Sequence, residues 1–467
     1  MLVNWNSMSD QSGDTQQQQD QQQGQPSQQQ QEQQQQQQDP TKSQTLPSNE
    51  PTVDIRSLSL KAITQSKGYC FLPSIQLQYD WHIYQNSDSD CFWVNLVKDS
   101  KSTVHATVST KKTSNNTFQF DVIPENTLTI KPINGNGSHL ALKYGQHNQE
   151  VIAPSKIHKV AGTKRITSMG ASSEGGLCAY GSSDGILEIF ESDDGQVRRK
   201  LRGHVGDVDV SKFFPSGRVL LSGASDARLR IWDAIEGECA MTLTSHTAGI
   251  TSASFVERGR NFISTSRDGS AKLWDVPTGT VIHTLQNYDR PINDCYVTTT
   301  TIRSSQTLDE REFGTDGKVV LLALEQGSLI LNDIRSANIV AEMSEEHHST
   351  AFNACFALNN YVYGGDDDGF IFQYDRRKLD QPTTICQFSN SPIHHIRSNN
   401  DDPLNNHNSL WVSSGDGNIF LVDFDSQSVT RSLSGIDTDV VTSLNVVPGS
   451  KKAFATSRDA YVRVYDL

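Results

Sequence analysis

An all-β chain folded as a seven-bladed β-propeller, preceded by a small strand-rich N-terminal domain and a disordered Gln-rich tail, is what this sequence predicts. Three observations carry that reading. Six times an Asp opening a tight turn is followed six residues later by an aromatic or branched apolar residue and then an acid: Asp184 leads to Phe190-Glu191, Asp226 to Trp232-Asp233, Asp268 to Trp274-Asp275, Asp368 to Tyr374-Asp375, Asp416 to Val422-Asp423 and Asp459 to Tyr465-Asp466. The first three turns lie 42 residues apart. A degenerate copy at Gln326-Gly327, with Asn332-Asp333 six positions on, fills the gap before Asp368 and makes seven copies visible. A period of this length is that of a four-stranded unit that cannot bury both faces until its neighbours stack around a ring.

The chain divides into a tail over residues 1–53, a small β-rich domain over 54–149 and the propeller over 150–467. Between residues 16 and 38 the sequence holds 18 Gln in 23 positions, and a Pro-, Ser- and Thr-containing stretch follows. Such a composition cannot bury a core, so the tail is expected to be disordered. From Asp54 the composition becomes ordinary. Alternation in Ser74-Ile75-Gln76-Leu77-Gln78-Tyr79 and in Thr127-Leu128-Thr129-Ile130 reads as strands.

Two repeats can be assigned position by position. Gly203-His204 precedes a strand over 208–214, Pro215-Ser216-Gly217 turns, 219–222 forms the next strand, Asp226 turns again and 229–232 closes the third. His246, Ser264, Asp268 and Trp274 repeat His204, Ser222, Asp226 and Trp232 at a shift of 42. The other copies are eroded: Gly162 and Tyr288 stand where the His would be, and only the second and third copies keep the Trp. The spacing of 58 from Asp268 to Gln326 locates an insertion of about sixteen residues near 301–316, and a smaller excess of six falls near 399–406. Insertions of this kind map to loops.

Bulk properties narrow the function. The formal charge is −14, and the tail contributes six acids against Lys42, leaving −9 for the rest. Nucleic acid is therefore not an expected partner. Seven cysteines are scattered singly, without a Cys-x-x-Cys pair, which reads as reduced thiols in a cytoplasmic or nuclear setting. No uninterrupted apolar stretch approaches the roughly 20 residues of a membrane span. The start of the chain is polar and lacks a signal-peptide pattern.

Several constellations imitate chemistry. His204, Ser222 and Asp226 contain the residue types of a nucleophilic triad, yet the same set recurs one repeat later, whereas an enzyme needs one site. Gly181-Ser182-Ser183-Asp184-Gly185 matches the nucleophile elbow, which requires a strand-to-helix turn, but lies between two strands. Asp366-Asp367-Asp368-Gly369 starts like a calcium loop and lacks the acid at its twelfth position. His347-His348 and His394-His395 have no companion ligands at fixed spacing. No phosphate-binding Gly-rich loop is present. Catalytic, metal and cofactor sites are thus not expected.

What remains is surface. Loops between blades and hairpins between second and third strands gather at one mouth of a propeller, which makes Asp207, Arg267, Asp437, Asp439 and Arg458 candidate partner-binding residues. Asp207, Asp437 and Asp439 form the proposed patch, with Arg267 and Arg458 as its pairing partners.

The blades resemble those of WD-repeat proteins, in which such His, Ser, Asp and Trp residues form a buried hydrogen-bond network. A closer resemblance is to the proteasomal ATPase-associated factor family. It rests on Leu201-Arg202-Gly203-His204-Val205-Gly206-Asp207-Val208, Phe213-Phe214-Pro215-Ser216-Gly217, Leu220-Leu221-Ser222-Gly223, Arg258-Gly259-Arg260-Asn261, Ser266-Arg267-Asp268-Gly269 and the insertion segment Glu310-Arg311-Glu312-Phe313-Gly314-Thr315. The resemblance implies a non-catalytic assembly chaperone of the proteasome regulatory particle. Such a protein binds the C-terminal domain of one ATPase subunit of the base, restrains association with the core particle and is monomeric when free. A WD-repeat adaptor or substrate receptor of a ubiquitin ligase, or of another multiprotein scaffold, is the competing reading. The sequence stops just after its last acid, so a segment at about 150–157 is expected to supply the missing fourth strand of the seventh blade.

Overall fold

Several repeats are organised by an Asp that closes its own turn. In the computed structural model, the side chains of Asp226, Asp268 and Asp459 accept the backbone N–H two residues on, at 3.1, 2.8 and 3.1 Å, closing the turn from within. The next residue holds a positive φ, and at Gly269 an added Cβ would lie 1.9 Å from the carbonyl oxygen of Tyr288. Ala227 and Ala460 take the same conformation at φ 62° in their own turns, against the preference of a residue with a Cβ.

The structure describes residues 69–84, 91–99, 102–112, 118–125, 128–133, 138–160, 162, 165–300, 309–344, 350–399, 408–447 and 449–467. The Gln-rich tail, the pair His347-His348 and nearly all of the excess near 399–406 lie outside these residues. Among the described residues, seven sheets follow one another in chain order, each with four antiparallel strands from inside to outside. Their inner strands are Ile166–Ala171, Val210–Phe213, Ile250–Val256, Ile292–Thr299, Phe352–Leu358, Ile393–Ser398 and Val441–Val447. Each touches the next and the last touches the first, so the ring closes around a central channel.

The cores lie between blades rather than within them. Ala179, Ile189 and Leu201 of blade 1 pack on Phe213, Leu220 and Trp232 of blade 2, and Tyr180 and Phe190 of blade 1 pack on Phe454 and Val462 of blade 7. A strand such as Arg228–Asp233, with Leu229 and Ile231 buried and Arg228 exposed, is half-buried in the way its alternation predicts.

Blade 7 takes its outer strand from ahead of blade 1, but from a different place than the sequence suggested. Lys156–Lys159 pairs antiparallel with Tyr461–Asp466, with His158 opposite Val462 and Ile157 opposite Arg463. The expected segment at about 150–157 is split. Glu150, Val151 and Ile152 instead run parallel to Arg431, Ser432 and Leu433 of blade 6. Pro154 stands between the two pairings, and a residue without an N–H cannot continue a ladder.

The strand His147–Ile152 spans the expected boundary at residue 150 and welds the N-terminal region to the ring. With His139–Tyr144 and Thr129–Pro132 it extends blade 6 into a seven-stranded sheet. A second sheet, Ser74–Leu77, Cys91–Val97, Thr103–Lys112 and Phe118–Ile123, packs over that extension through Ile75, Phe92, Val94, Leu140, Leu142 and Val151. Buried Gln149 ties the layers together, accepting from Ile75 N at 2.8 Å and donating to Ile75 O and Ser432 Oγ at 2.7 and 2.9 Å. Fully buried Trp81 donates its indole N–H to Ser434 Oγ at 2.7 Å. Cys70–Phe71 adds a parallel strand outside Thr384–Gln387 of blade 5.

A chain starting at residue 160 lacks the outer strand of blade 7 and leaves the interface between blades 7 and 1 with an open edge. It is expected to lose cooperative thermal unfolding by circular dichroism. A sharp melt at the full-chain temperature would show that the ring closes without that strand.

Candidate functional site

The intact repeats hold two copies of one polar network. The ring Nδ1 of His204 donates to the Asp226 carboxylate at 3.0 Å, which leaves Nε2 to accept the Ser222 hydroxyl at 2.7 Å, while Ser222 Oγ accepts the Trp232 indole N–H at 2.8 Å. His246, Asp268, Ser264 and Trp274 repeat these contacts at 3.0, 2.7 and 2.8 Å. Asp226 and Asp268 also accept the backbone N–H of Val205 and Thr247, so the loop entering each blade is pinned to the hairpin of that blade. Burial pushes both imidazoles below their ordinary pKa against the pull of their Asp partners, which keeps them neutral. Burial also raises Asp268, but hydrogen bonds from Ser270 and Thr247 outweigh it and hold the carboxyl at about 2. Ser222 and Ser264 are fully buried and both their hydroxyls are engaged, so the triad-like set serves packing.

All five surface candidates stand at one mouth of the ring, and the structure sorts them into two groups. Asp207 lies in the loop before blade 2 and Arg267 in the hairpin of blade 3. The ion-pair partner of Asp207 is Arg165 of blade 1, at 3.5 Å and half exposed on both sides, rather than Arg267 or Arg458. Among the described residues neither of those arginines forms an ion pair. Asp437, Asp439 and Arg458 flank blade 7, where the pairing of Val441 with Ser457 puts Asp439 and Arg458 at the same strand end. Asp437 and Arg458 are exposed; Asp439 is partly buried and caps Val440 N at 2.8 Å.

Two residues at this mouth escaped the sequence reading. Asp209 is largely sequestered beside Asp207; burial, then the Asp207 charge, raises its carboxyl to about 6 against the opposing pull of Arg267 and Arg165. Alternation of Asp207 and Asp209 with buried Val208 and Val210 was the signal that both acids share one side. His394, set aside as half of a histidine pair, lies near Asp367 and Arg458, and burial lowers its pKa. Its neighbour His395 is among the residues lining the channel, and its Nδ1 lies 3.1 Å from Ser413 Oγ on the second strand.

At the opposite end, two segments 50 residues apart in sequence meet. Asn261 Nδ2 donates to Arg311 O at 3.0 Å and Asn261 Oδ1 accepts Phe313 N at 2.6 Å. The guanidinium of Arg260 covers the half-exposed Phe313 ring at 3.9 Å from its centroid. Buried Glu312 lies between Arg335 and His283, at 3.9 and 3.8 Å. The described part of the insertion is thus docked between blades 3 and 4. Among the described residues no group of three or more His, Cys, Asp or Glu is placed to hold a metal ion, and no helix is long and apolar enough to cross a membrane.

Comparison with known proteins agrees with this geometry. Residues 195–233 and 237–275 match the family described as WD domain, G-beta repeat. The chain is 52% identical over 416 residues to a probable proteasomal ATPase-associated factor 1 from Dictyostelium discoideum, across 85% of this chain and 97% of that protein. It is 40% identical over 407 residues to proteasomal ATPase-associated factor 1 from Homo sapiens, across 84% and 98%. The chain belongs to the proteasomal ATPase-associated factor 1 family. A DDB1- and CUL4-associated factor 10 from Xenopus laevis is 30% identical over 112 residues, only 24% of this chain. In this member of the proteasomal ATPase-associated factor 1 family, the matched repeats each begin near or in an outer strand and end in the third strand of the next blade. They cover the stretch where the Trp networks are intact.

Ser222→Ala strands the indole N–H of Trp232 and the Nε2 of His204, and is expected to cost about 1–3 kcal/mol of stability. Chemical denaturation checks it, with Ser264→Ala as the matched variant; unchanged midpoints in both would contradict the assignment. Asp209 has a folded-state pKa above its unfolded one, so its ionised form costs stability above about pH 6. Asp209→Asn is therefore expected to melt higher than the parent at pH 8, with the advantage shrinking as pH falls through 6 toward 4.

Proposed function

We propose that this chain is a non-catalytic assembly chaperone of the proteasome regulatory particle base, working in the cytoplasm and nucleus as a monomer when free. It binds the C-terminal domain of one proteasomal ATPase subunit and restrains the association of that subunit with the core particle. The observation that carries the reading is identity of 52% and 40% across 97% and 98% of two relatives named as proteasomal ATPase-associated factor 1.

The geometry supports it in a specific way. A rigid ring with its polar networks buried leaves the loops at the mouth free to vary without cost to the core. Asp207, Asp437 and Asp439, on the same mouth as Arg267 and Arg458, offer acidic contacts to a basic domain. A chain of formal charge −14 also raises the encounter rate with such a partner. The adaptor reading draws less support, since the match to a DDB1- and CUL4-associated factor 10 covers only 112 residues.

Purified full chain titrated against the isolated C-terminal domain of each proteasomal ATPase is expected to bind one selectively, and more weakly at high salt. Reversing Asp207 and Asp439 together to Lys is expected to lower that affinity by about tenfold or more. Full affinity in the double variant would move the contact off this mouth, whereas binding to none of the domains would favour an adaptor of another complex.

A further inference from the structure

We propose that the central channel is a binding site for one small free oxyanion of the phosphate or sulfate class, held between Lys212 and Arg397. The inner strands place these cations at one level. Lys212 is paired with Leu221 in blade 2 and Arg397 with Trp411 in blade 6, corresponding positions of two blades that face each other across the ring. Between them lies a cavity of about 120 Å³ whose walls also include Asp209, Ser211, Asp294 and His395. That volume exceeds the roughly 30 Å³ that one water occupies in the liquid and suits a single tetrahedral ion.

The cations have donors to offer. Lys212 Nζ donates to Ala253 O, and Arg397 Nη1 donates to the carbonyl of Ile396 at 2.9 Å. Among the described residues, neither has a carboxylate within ion-pair distance. A guanidinium carries five N–H donors and an ammonium three, so most remain for a ligand. Ser211 Oγ is buried in the same wall without a partner.

Two acids, Asp209 and Asp294, line the same cavity, and neither is within ion-pair distance of Lys212 or Arg397. Asp294 accepts Ser252 Oγ at 2.8 Å and the backbone N–H groups of Cys295 and Cys355 at 2.9 and 3.3 Å, which fixes its carboxylate into the walls of blades 3, 4 and 5. Burial, then the charge of Arg397, pushes the Lys212 ammonium below its usual range against the opposing pull of Asp294, so further negative charge beside it is favourable. An oxyanion forked by Arg397 and touched by Lys212 supplies that charge in the geometry guanidinium favours. The setting is unusual for a chain of net charge −14, whose surface would repel such an ion.

Isothermal titration of inorganic phosphate, and separately of sulfate, into the full chain in chloride-free buffer is expected to give saturable one-site binding and a higher melting temperature. Arg397→Gln and Lys212→Gln are each expected to weaken it about tenfold or more. No saturable heat and no rise in melting temperature with the parent chain at millimolar anion would overturn the proposal. So would undiminished affinity in both variants. Because either variant could fold poorly, crystals of the parent chain grown with selenate give an independent answer. Anomalous density between Lys212 and Arg397 supports the site; density only elsewhere refutes it. A phosphoserine peptide is expected not to compete with phosphate, and equal competition would overturn the assignment to a free ion.

Discussion

A four-stranded blade has two apolar faces and no means of covering either by itself, and everything else in this chain follows from how the ring meets that constraint. Its cores are shared between successive blades, so each interface depends on both neighbours and the last depends on closure. The sequence repeat is offset from the spatial blade. Each repeat supplies the outer strand of one blade and the first three of the next, as the matched stretches 195–233 and 237–275 show against the strand boundaries. The final blade must then be completed from the other end of the chain. Lys156–Lys159 does this, and the pairing covers the edge of Tyr461–Asp466 that would otherwise be open.

The same offset explains where the polar networks sit. The loop leaving one blade and entering the next carries the His, and the hairpin of the next blade carries the Asp, so each network fastens two consecutive sheets. Where the His and Trp are lost, other pairs bridge the same places. Tyr288 Oη donates to Asn332 Oδ1 at 3.0 Å in blade 4, Thr350 Oγ1 to Asp368 at 2.8 Å in blade 5, and Ser389 Oγ to Asp416 at 2.7 Å in blade 6. In blade 7 the buried Arg463 guanidinium spans Gly435 O and the Asp459 carboxylate. The position demands a hydrogen-bonded bridge rather than a particular residue, because an unpaired polar group there is costly. Asp is retained most often because it also closes its own turn.

A ring held this way separates its tasks by position. Loops at the mouth carry exposed charges such as Asp437 and Arg458, the opposite end carries an insertion clamped by Asn261 and Glu312, and blades 5 and 6 carry the added N-terminal strands on their outer edges. The channel collects side chains from all the inner strands, which is why residues far apart in sequence share one polar space. Changes in exposed residues at the mouth can therefore alter this surface without loosening the fold.

Turns and strand alternation are local, so the hairpins, the repeat length and the two network copies were legible from residue order alone. Asp226 and Trp232 lie six residues apart, and a shift of 42 brings their equivalents into view. The mouth residues were legible by the same logic, since strand order assigns every loop to one end. The remaining features depend on contacts between distant segments. Pro154 divides one apparent strand between blades 6 and 7, a choice set by which edges are free. Asp207 finds Arg165 because two blades are neighbours. Lys212 and Arg397 face each other because seven strands close a circle, and nothing within four residues of either distinguishes a channel-facing cation from an ordinary surface one.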